Sequence, residues 1–577
     1  MLSLQSAIRC FNAGDLQGSA SILVALLEQQ PVDPRGLLLL ALVRYDEGGL
    51  AEARELFLRY LVLNLDDGLA WLRLGQIHQR LGADPQARAC FARTVEVEPD
   101  NPNAWHEYGA VLFRLGEHEA AVAALDTAVA LAPGSMTTQC NRAKLLASLH
   151  RPEADPAFNA VLALHPHSAS DWHDRATACL YFDDATGAAH ACRHGLGTIV
   201  GLAPDAAPTP MELQLRLLLA ECLERAGHFA DAQTERADVG RRQGVMVQPC
   251  LGEAPAARLL LLGGAGSCNL PTDFMLDRNR FEIVTLFLPP NEAADHHWDT
   301  IMAQSPPIGI AFNIIGDADA GAPFLAQAES LLRRFPYPVL NPPWQIPPTR
   351  RDRLPERLTG IAGLVVPFLV RMSRDEVLSY ADAVEGQALQ PPLLLRPVGL
   401  HGGEHLQRLS IAQQLTAAAS TAAPGDYYLS HFHDFRGNDG RFRKYRLVFI
   451  GNEIFPVHLA IGNDWLVHYW RTAMSDAMRH EETAFLANPV AAMGATAFDA
   501  LRAVVRRLDL DYGGVDCAVL VDGRLLLFEA NATMLVHATG VFPEKRRQAE
   551  RIRDALSAYI LLRQQAALST PVESGVS

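Results

Sequence analysis

At 577 residues and a formal net charge of -15 at neutral pH, the chain is long enough for several domains. It lacks the basic stripe with interleaved aromatics that a phosphate-backbone binder needs, so nucleic acid is not an expected partner. The nine cysteines form no Cys-x-x-Cys pair, the opening MLSLQSAIRC has neither a basic stretch nor a continuous apolar run, and no segment reaches membrane-spanning length. These features predict a cytoplasmic protein with reduced thiols and no membrane partner.

The first elements in chain order are repeats. Trp71 recurs as Trp105, Gly75 as Gly109, Leu81-Gly82 as Leu115-Gly116, Ala87 as Ala121 and Pro99 as Pro133, each about 34 residues on. The same step leads back to Ala41, Gly48, Ala53 and Phe57 and forward to Ala143, with Trp172 and a helical pair near 213–238 following less regularly. Small residues at 75, 87, 109 and 121 let paired helices approach, Trp and Phe are expected to fill the space between pairs, and Pro99 and Pro133 end helices. These positions resemble the tetratricopeptide repeat, over residues 1–245. The resemblance implies an all-α solenoid whose groove captures a peptide or protein substrate, with His106, Phe113 and Arg114 on or near the inner face. Chaperone-tail readers of that family carry a basic and Asn clamp where this chain has Leu72, Gln76, His106 and Ala110, which argues against that partner class. His165, His167 and His173, and the segment with Pro204, Pro208 and Pro210, read as loops.

From residue 251 the periodicity changes. Apolar runs at 259–264, 281–288, 308–315 and 338–341, separated by helical segments, predict a parallel sheet and a Rossmann-like subdomain over 251–345. Gly263-Gly264-Ala265-Gly266 lacks the spacing and the acidic partner of a dinucleotide loop. Residues 393–403 read as a buried strand ending in Arg396 and opening into a loop with Gly399, Gly402 and Gly403, where backbone N–H groups can approach phosphates. Strands at 426–429 and 444–450 follow, the second turning at Gly451-Asn452. The last two apolar runs are joined by Asp522-Gly523. A two-residue turn with both residues at positive φ pairs 521 with 524 and sets Asp516 opposite Glu529, with Asn531 on the same face. Facing carboxylates bounded by apolar strand need their charge compensated, which a hard cation with oxygen ligands would do; the alternative is an exposed hairpin end with two solvated acids.

In this order the pieces of the second half resemble the ATP-grasp superfamily of carboxylate-amine ligases, over about residues 258–565. The fold class expected is multidomain: the N-terminal repeat solenoid, the Rossmann-like subdomain, a C-terminal α/β ATP-grasp domain over 346–565 and a disordered tail over 566–577. The resemblance implies that Arg396 with Gly399, Gly402 and Gly403 holds the α and β phosphates of ATP, and that Leu429, Ser430 and His431 form the adenine hinge. Arg350 and Arg351 stand where the family has an earlier Lys, Arg396 replaces its strand Lys, and Lys444 or, off-register, Asp434 falls near the ribose-contacting position. Asp516, Glu529 and Asn531 would hold two Mg²⁺ ions, and Arg446 would face the transferred phosphoryl group. His468 and Arg471 are expected substrate contacts, Trp465, Tyr469 and Trp470 core aromatics, and His433 is left open.

The activity implied is an ATP- and Mg²⁺-dependent ligase joining a small-molecule carboxylate or amine co-substrate to a partner through an acyl phosphate. A kinase on the same fold and a non-catalytic repeat adaptor with a degenerate ligase domain remain alternatives.

Overall fold

The computed structural model describes residues 3–568 apart from 150, 200–207, 227, 251, 253, 265–267, 273, 290–294, 305–306, 383–388, 400–404, 422–424, 468, 470–471, 473 and 537–542. The chain forms two compact units, Met1–Pro166 and His167–Ser577.

In the first unit, consecutive helices pair across short turns, as Gly68–Arg80 does with Asp84–Val97 and Pro102–Arg114 with His118–Leu131. One reason these segments start where they do is a cap at repeat spacing: Asp33, Asp67, Asn101 and Ser135 each accept a hydrogen bond from a backbone N–H of the first helical turn, satisfying donors the helix leaves open. Gly48, Gly82 and Gly116 turn the chain at φ +82°, +71° and +78°. The close helix contact expected at Gly75 is present, since a Cβ there would lie 2.5 Å from a ring carbon of Phe91. Phe57 and Phe91 fill the interior. Trp71 and Trp105 are only partly buried, and their indole N–H groups donate to the carbonyls of Leu65 and Pro99 at 2.9 and 2.7 Å. Their polar edge thus ties down the preceding loop, while Trp71 also packs against the helical core, as expected of a filler.

The second unit starts with the helices Ala169–Tyr181, Ala185–Thr198, Pro210–Arg225 and Phe229–Gln243. The expected boundary at 245 therefore falls inside a compact unit. The cause is packing: a Cβ on Gly240 would sit 3.1 Å from Cα of Pro289, so the last of these helices lies close against the chain at the end of a sheet strand.

Strands β1 (Val245–Gln248), β2 (Ala257–Gly264), β3 (Phe281–Leu288), β4 (Ile310–Asn313) and β5 (Val339–Leu340) form a sheet in the order β1-β3-β2-β4-β5. All of its pairs are parallel except the antiparallel edge pair β1–β3. The parallel sheet matches the expectation from the apolar runs. Two further sheets follow. From β6 (Leu364–Val365), β7 (Leu369–Ser373), β8 (Leu393–Pro397), β9 (Gln407–Leu409) and β10 (Asp426–His431), the last four assemble an antiparallel sheet in the order β7-β10-β8-β9. β11 (Phe442–Ile450), β12 (Glu453–Gly462), β13 (Tyr512–Val519) and β14 (Leu525–Asn531) are antiparallel neighbours in the order β12-β11-β13-β14, with β6 parallel at the edge. This region is thus a set of mixed sheets that follows the N-terminal helical solenoid in the chain.

Asn341 fixes the start of β13 to the end of β5. Fully buried at φ +46°, it accepts from the N–H groups of Asp511 and Tyr512 at 2.8 and 3.0 Å and donates its side-chain amide to the Tyr512 carbonyl at 2.7 Å. Its own N–H donates to the Asp511 carboxylate at 2.8 Å. The helix Pro543–Leu568 packs against strands of two sheets, with Ile552, Leu556 and Ile560 in the same core as Leu259 and Ile283 on β2 and β3 and Val448 and Tyr512 on β11 and β13. It runs through Leu568, into the segment expected to be tail.

Candidate active site

One row of side chains crosses four adjacent strands. His458 on β12 pairs with Arg446 on β11, Arg446 with Asp516 on β13, and Asp516 with Glu529 on β14. Directly opposed residues in a ladder share a face, and all four line one cavity of about 570 Å³. Register shifts flank the row, between Arg446 and Leu447 against β12 and between Asp516 and Cys517 against β14. Such bulges re-aim side chains at sheet edges and active sites.

The expected opposition of Asp516 and Glu529 is present, by a different route. Leu520 and Gly523 close the turn, with the Leu520 N–H donating to the Arg524 carbonyl at 2.9 Å and the Gly523 N–H to the Leu520 carbonyl at 2.8 Å. Only Gly523, at φ +82°, is left-handed; Asp522 is not. The loop is therefore three residues with glycine last, which shifts the pairing to Val519 with Leu525, and the extra residue Phe528 restores the register at 516 and 529.

The charges in this cavity are paired. Asp516 takes Arg446 Nε and Nη2 on its two oxygens at 2.7 and 2.8 Å, and Lys444 Nζ at 2.7 Å. Glu529 takes Arg351 Nη2 at 2.6 Å and the side-chain amide of Asn531 at 2.6 Å. Burial would push the Asp516 carboxyl up, but the charges of Arg446 and Lys444 outweigh it and hold it at about 2; the carboxylate is ionised although its side chain is only 2% exposed. Arg396, facing the cavity from β8 opposite Tyr428, is pulled down to about 10 by burial and by neighbouring Arg351. Tyr428 is held by a 2.7 Å hydrogen bond from its hydroxyl to Asp319, which also pairs with Arg371 at 3.0 Å.

Of the residues singled out from sequence, Arg351, Arg396, Ser430, His431, Lys444, Arg446, Asp516, Glu529 and Asn531 come together around this cavity. Arg350 does not: it turns to Asp352, with both contacts under 3 Å. The Leu429 side chain packs into the core of the four-stranded sheet with Leu393 and Leu395, because strand alternation puts it opposite the face of Tyr428 and Ser430. Gly399 turns the chain after β8 at φ +83°. Gly402, Gly403, His468 and Arg471, and Trp470, lie outside the described residues. Asp434 pairs with Arg436. Trp465 and Tyr469 pack, partly buried, against the core of Phe435, Phe442 and Val467, as expected of core aromatics, and they also line the cavity, as does His433.

His458 and the buried Glu482 were missed. The His458 ring stacks on Tyr469 at 4.4 Å and 21°, and the Tyr469 hydroxyl donates to Glu482 at 3.2 Å. A two-residue turn at Gly451-Asn452 pairs Ile450 with Glu453 and so would bring Val457 opposite Arg446; the bulge substitutes His458.

The donor set suits a hard cation: two carboxylates and an amide oxygen on adjacent strands, facing one cavity, are the ligands Mg²⁺ prefers. Among the described residues no group of three or more His, Cys, Asp or Glu side chains is placed to hold a metal, so the fit depends on Asn531 as well as the two acids. The amide oxygen of Asn531 accepts from the Thr533 N–H at 3.0 Å.

A tetratricopeptide repeat family model matches residues 6–68, 38–88 and 72–135, so the N-terminal region carries tetratricopeptide repeats. Solved structures similar to the chain include one of MamA, 21% identical, covering 27% of this chain and 91% of that one at a TM-score of 0.26. Another is a tetratricopeptide repeat protein from Parabacteroides merdae ATCC 43184, 16% identical, covering 41% and 91% at 0.35. YrrB, described as a TPR protein with an unusual peptide-binding site, is 18% identical and covers 31% and 93% at 0.25. Scores at this level establish neither a shared overall fold nor a shared function. No curated protein matches the chain. Among the described residues no helix is long and apolar enough to cross a membrane.

Proposed function

We propose that the cavity is the nucleotide site of an ATP- and Mg²⁺-dependent carboxylate-amine ligase of the ATP-grasp type, and that the tetratricopeptide repeats capture its peptide or protein substrate. The observation that carries this reading is the cavity lining, where four cations, Arg351, Arg396, Lys444 and Arg446, surround two carboxylates, Asp516 and Glu529. A net positive lining attracts a polyanion, and the acids within it suit a metal-bound one. Apolar side chains including Leu394, Phe432 and Leu527 share the same cavity, giving a base ring an apolar surface beside the charged end.

Asp516, Glu529 and Asn531 would hold Mg²⁺, which when bound neutralises phosphate charge and polarises the bond to the transferred group. Arg351 and Arg396 bind phosphate oxygens, with Arg's planar fork suited to two oxygens at once. A substrate carboxylate attacks the γ-phosphoryl group, releasing ADP and giving an acyl phosphate; an amine then displaces phosphate. Arg446, projecting into the cavity from β11 beside Asp516, stabilises negative charge as it develops in each step, and preorganised donors of this kind lower a barrier by about 3 kcal/mol. Capture by the repeats raises effective substrate concentration without adding catalytic contacts.

The test is a screen of carboxylates and amines, including peptides, coupled to ADP release and to mass detection of the product. A new amide formed with stoichiometric ADP supports the ligase. A phosphorylated product with no amide would make the protein a kinase on the same fold.

A further inference from the structure

Every oxygen of the proposed metal ligands already has a partner within the protein. The two oxygens of Asp516 are held by Arg446, one of them also by Lys444; one oxygen of Glu529 is held by Arg351 and the other by the Asn531 amide; the Asn531 oxygen accepts from Thr533. A divalent cation approaching by itself meets a lining with more positive than negative side chains and has to displace Arg351, Lys444 and Arg446 from their acids. Displacing them without giving them another anion leaves buried charge uncompensated, which is strongly unfavourable. A polyphosphate changes this balance, because its oxygens offer the three cations new partners while the acids turn to the metal.

We propose that this site refuses a free divalent cation and admits one only together with a polyphosphate anion, with Arg351, Lys444 and Arg446 as exchangeable counter-ions that pass from Asp516 and Glu529 to phosphate oxygens. The inference rests on the nucleotide reading above and deepens it: the ligand is the metal–polyphosphate complex, and the two components bind with positive coupling. Coupling is reciprocal, so the metal raises affinity for the anion by the same factor as the anion raises affinity for the metal.

The test uses the full chain with Mn²⁺ as the spectroscopic and calorimetric probe. Mn²⁺ is titrated alone, with ATP, and with inorganic triphosphate, and each anion is titrated in the presence of chelator. The expected result is weak binding of Mn²⁺ alone and an affinity raised about tenfold or more by the anion, within the range of coupled sites. Replacing the counter-ions, as Arg351→Gln with Lys444→Gln, should increase affinity for Mn²⁺ alone in a variant whose circular dichroism and unfolding transition match the wild type. Arg351→Gln alone should give a smaller gain in the same direction. Coupling with triphosphate and none with ATP would keep the counter-ion exchange and remove the nucleotide reading. Equal Mn²⁺ affinity with and without either anion, or no gain in Mn²⁺ affinity in a folded variant, would overturn the inference.

Discussion

The repeat unit and the sheet cavity use the same ion-pair chemistry to opposite ends. In the repeats, Arg114 meets Asp84 and Arg88 meets Glu117 across successive helix pairs, with each of these side chains a quarter to a half exposed. In the cavity, Arg446 meets Asp516 in a similar two-bond geometry where the carboxylate is almost wholly out of water. Pairs exposed to solvent contribute little, whereas a buried acid depends on its partner. The contrast teaches that solenoid charges decorate a stack that packing already holds, while the cavity charges are coupled to one another and poised for exchange.

The largest effect should come from breaking the coupled side. Arg446→Ala leaves Asp516 with Lys444 alone and is expected to lower unfolding free energy by about 3–5 kcal/mol, measured by urea denaturation followed at the sheet unit. A loss no larger than that of an exposed pair would erase the contrast.

The next is Asn341→Ala, which removes three side-chain hydrogen bonds to residues 511 and 512 and is expected to cost about 2–4 kcal/mol, since buried backbone donors lose their acceptor. The same denaturation curves read it out. A neutral outcome would mean that the start of β13 is held by the core alone.

How far these features were legible follows from where their signal lies. The solenoid was readable because its features recur at one step, so weak signals at Trp71, Gly75 and Ala87 reinforce one another; the caps at 33, 67, 101 and 135 carry the same spacing and went unused. Asp516, Glu529 and Asn531 were readable from a hairpin, although the turn and the bulge at Phe528 were both unseen and cancelled. His458 was hidden for the converse reason, a bulge with no compensating turn error. Leu429 could have been placed correctly by strand alternation, whereas nothing periodic in the loop before Asp352 distinguishes Arg350 from Arg351. Glu482 sits in the helix Asp476–Ala487, and its role depends on a contact with Tyr469 that local sequence does not encode.

Acid should separate the two regions next. Asp516 is held at about 2 against an ordinary value of 3.8. A group whose folded value is depressed adds stability above its unfolded value and loses it as pH falls through the folded one. The cavity unit should therefore lose about 2 kcal/mol between about pH 4 and pH 2, and Asp516→Asn should remove that dependence. A wild-type and variant profile of identical slope would show that the buried pair does not titrate as a unit.

The smallest effect belongs to Arg114→Ala in the repeats, expected at about 0–1 kcal/mol in thermal unfolding of the full chain. A cost approaching that of Arg446→Ala would show that the repeat charges are coupled after all.

Everything proposed for the cavity depends on its binding a metal nucleotide through its two opposed acids. The most direct test of that binding is the thermal unfolding midpoint of the full chain with and without Mg²⁺-ATP, beside the double variant Asp516→Asn, Glu529→Gln. A ligand that binds only the folded state raises its midpoint by mass action. A clear upward shift is expected in the sheet unit of the wild type, and its loss in the variant; an unchanged midpoint in the wild type, or an equal shift in both, would mean that the two acids do not hold a metal nucleotide.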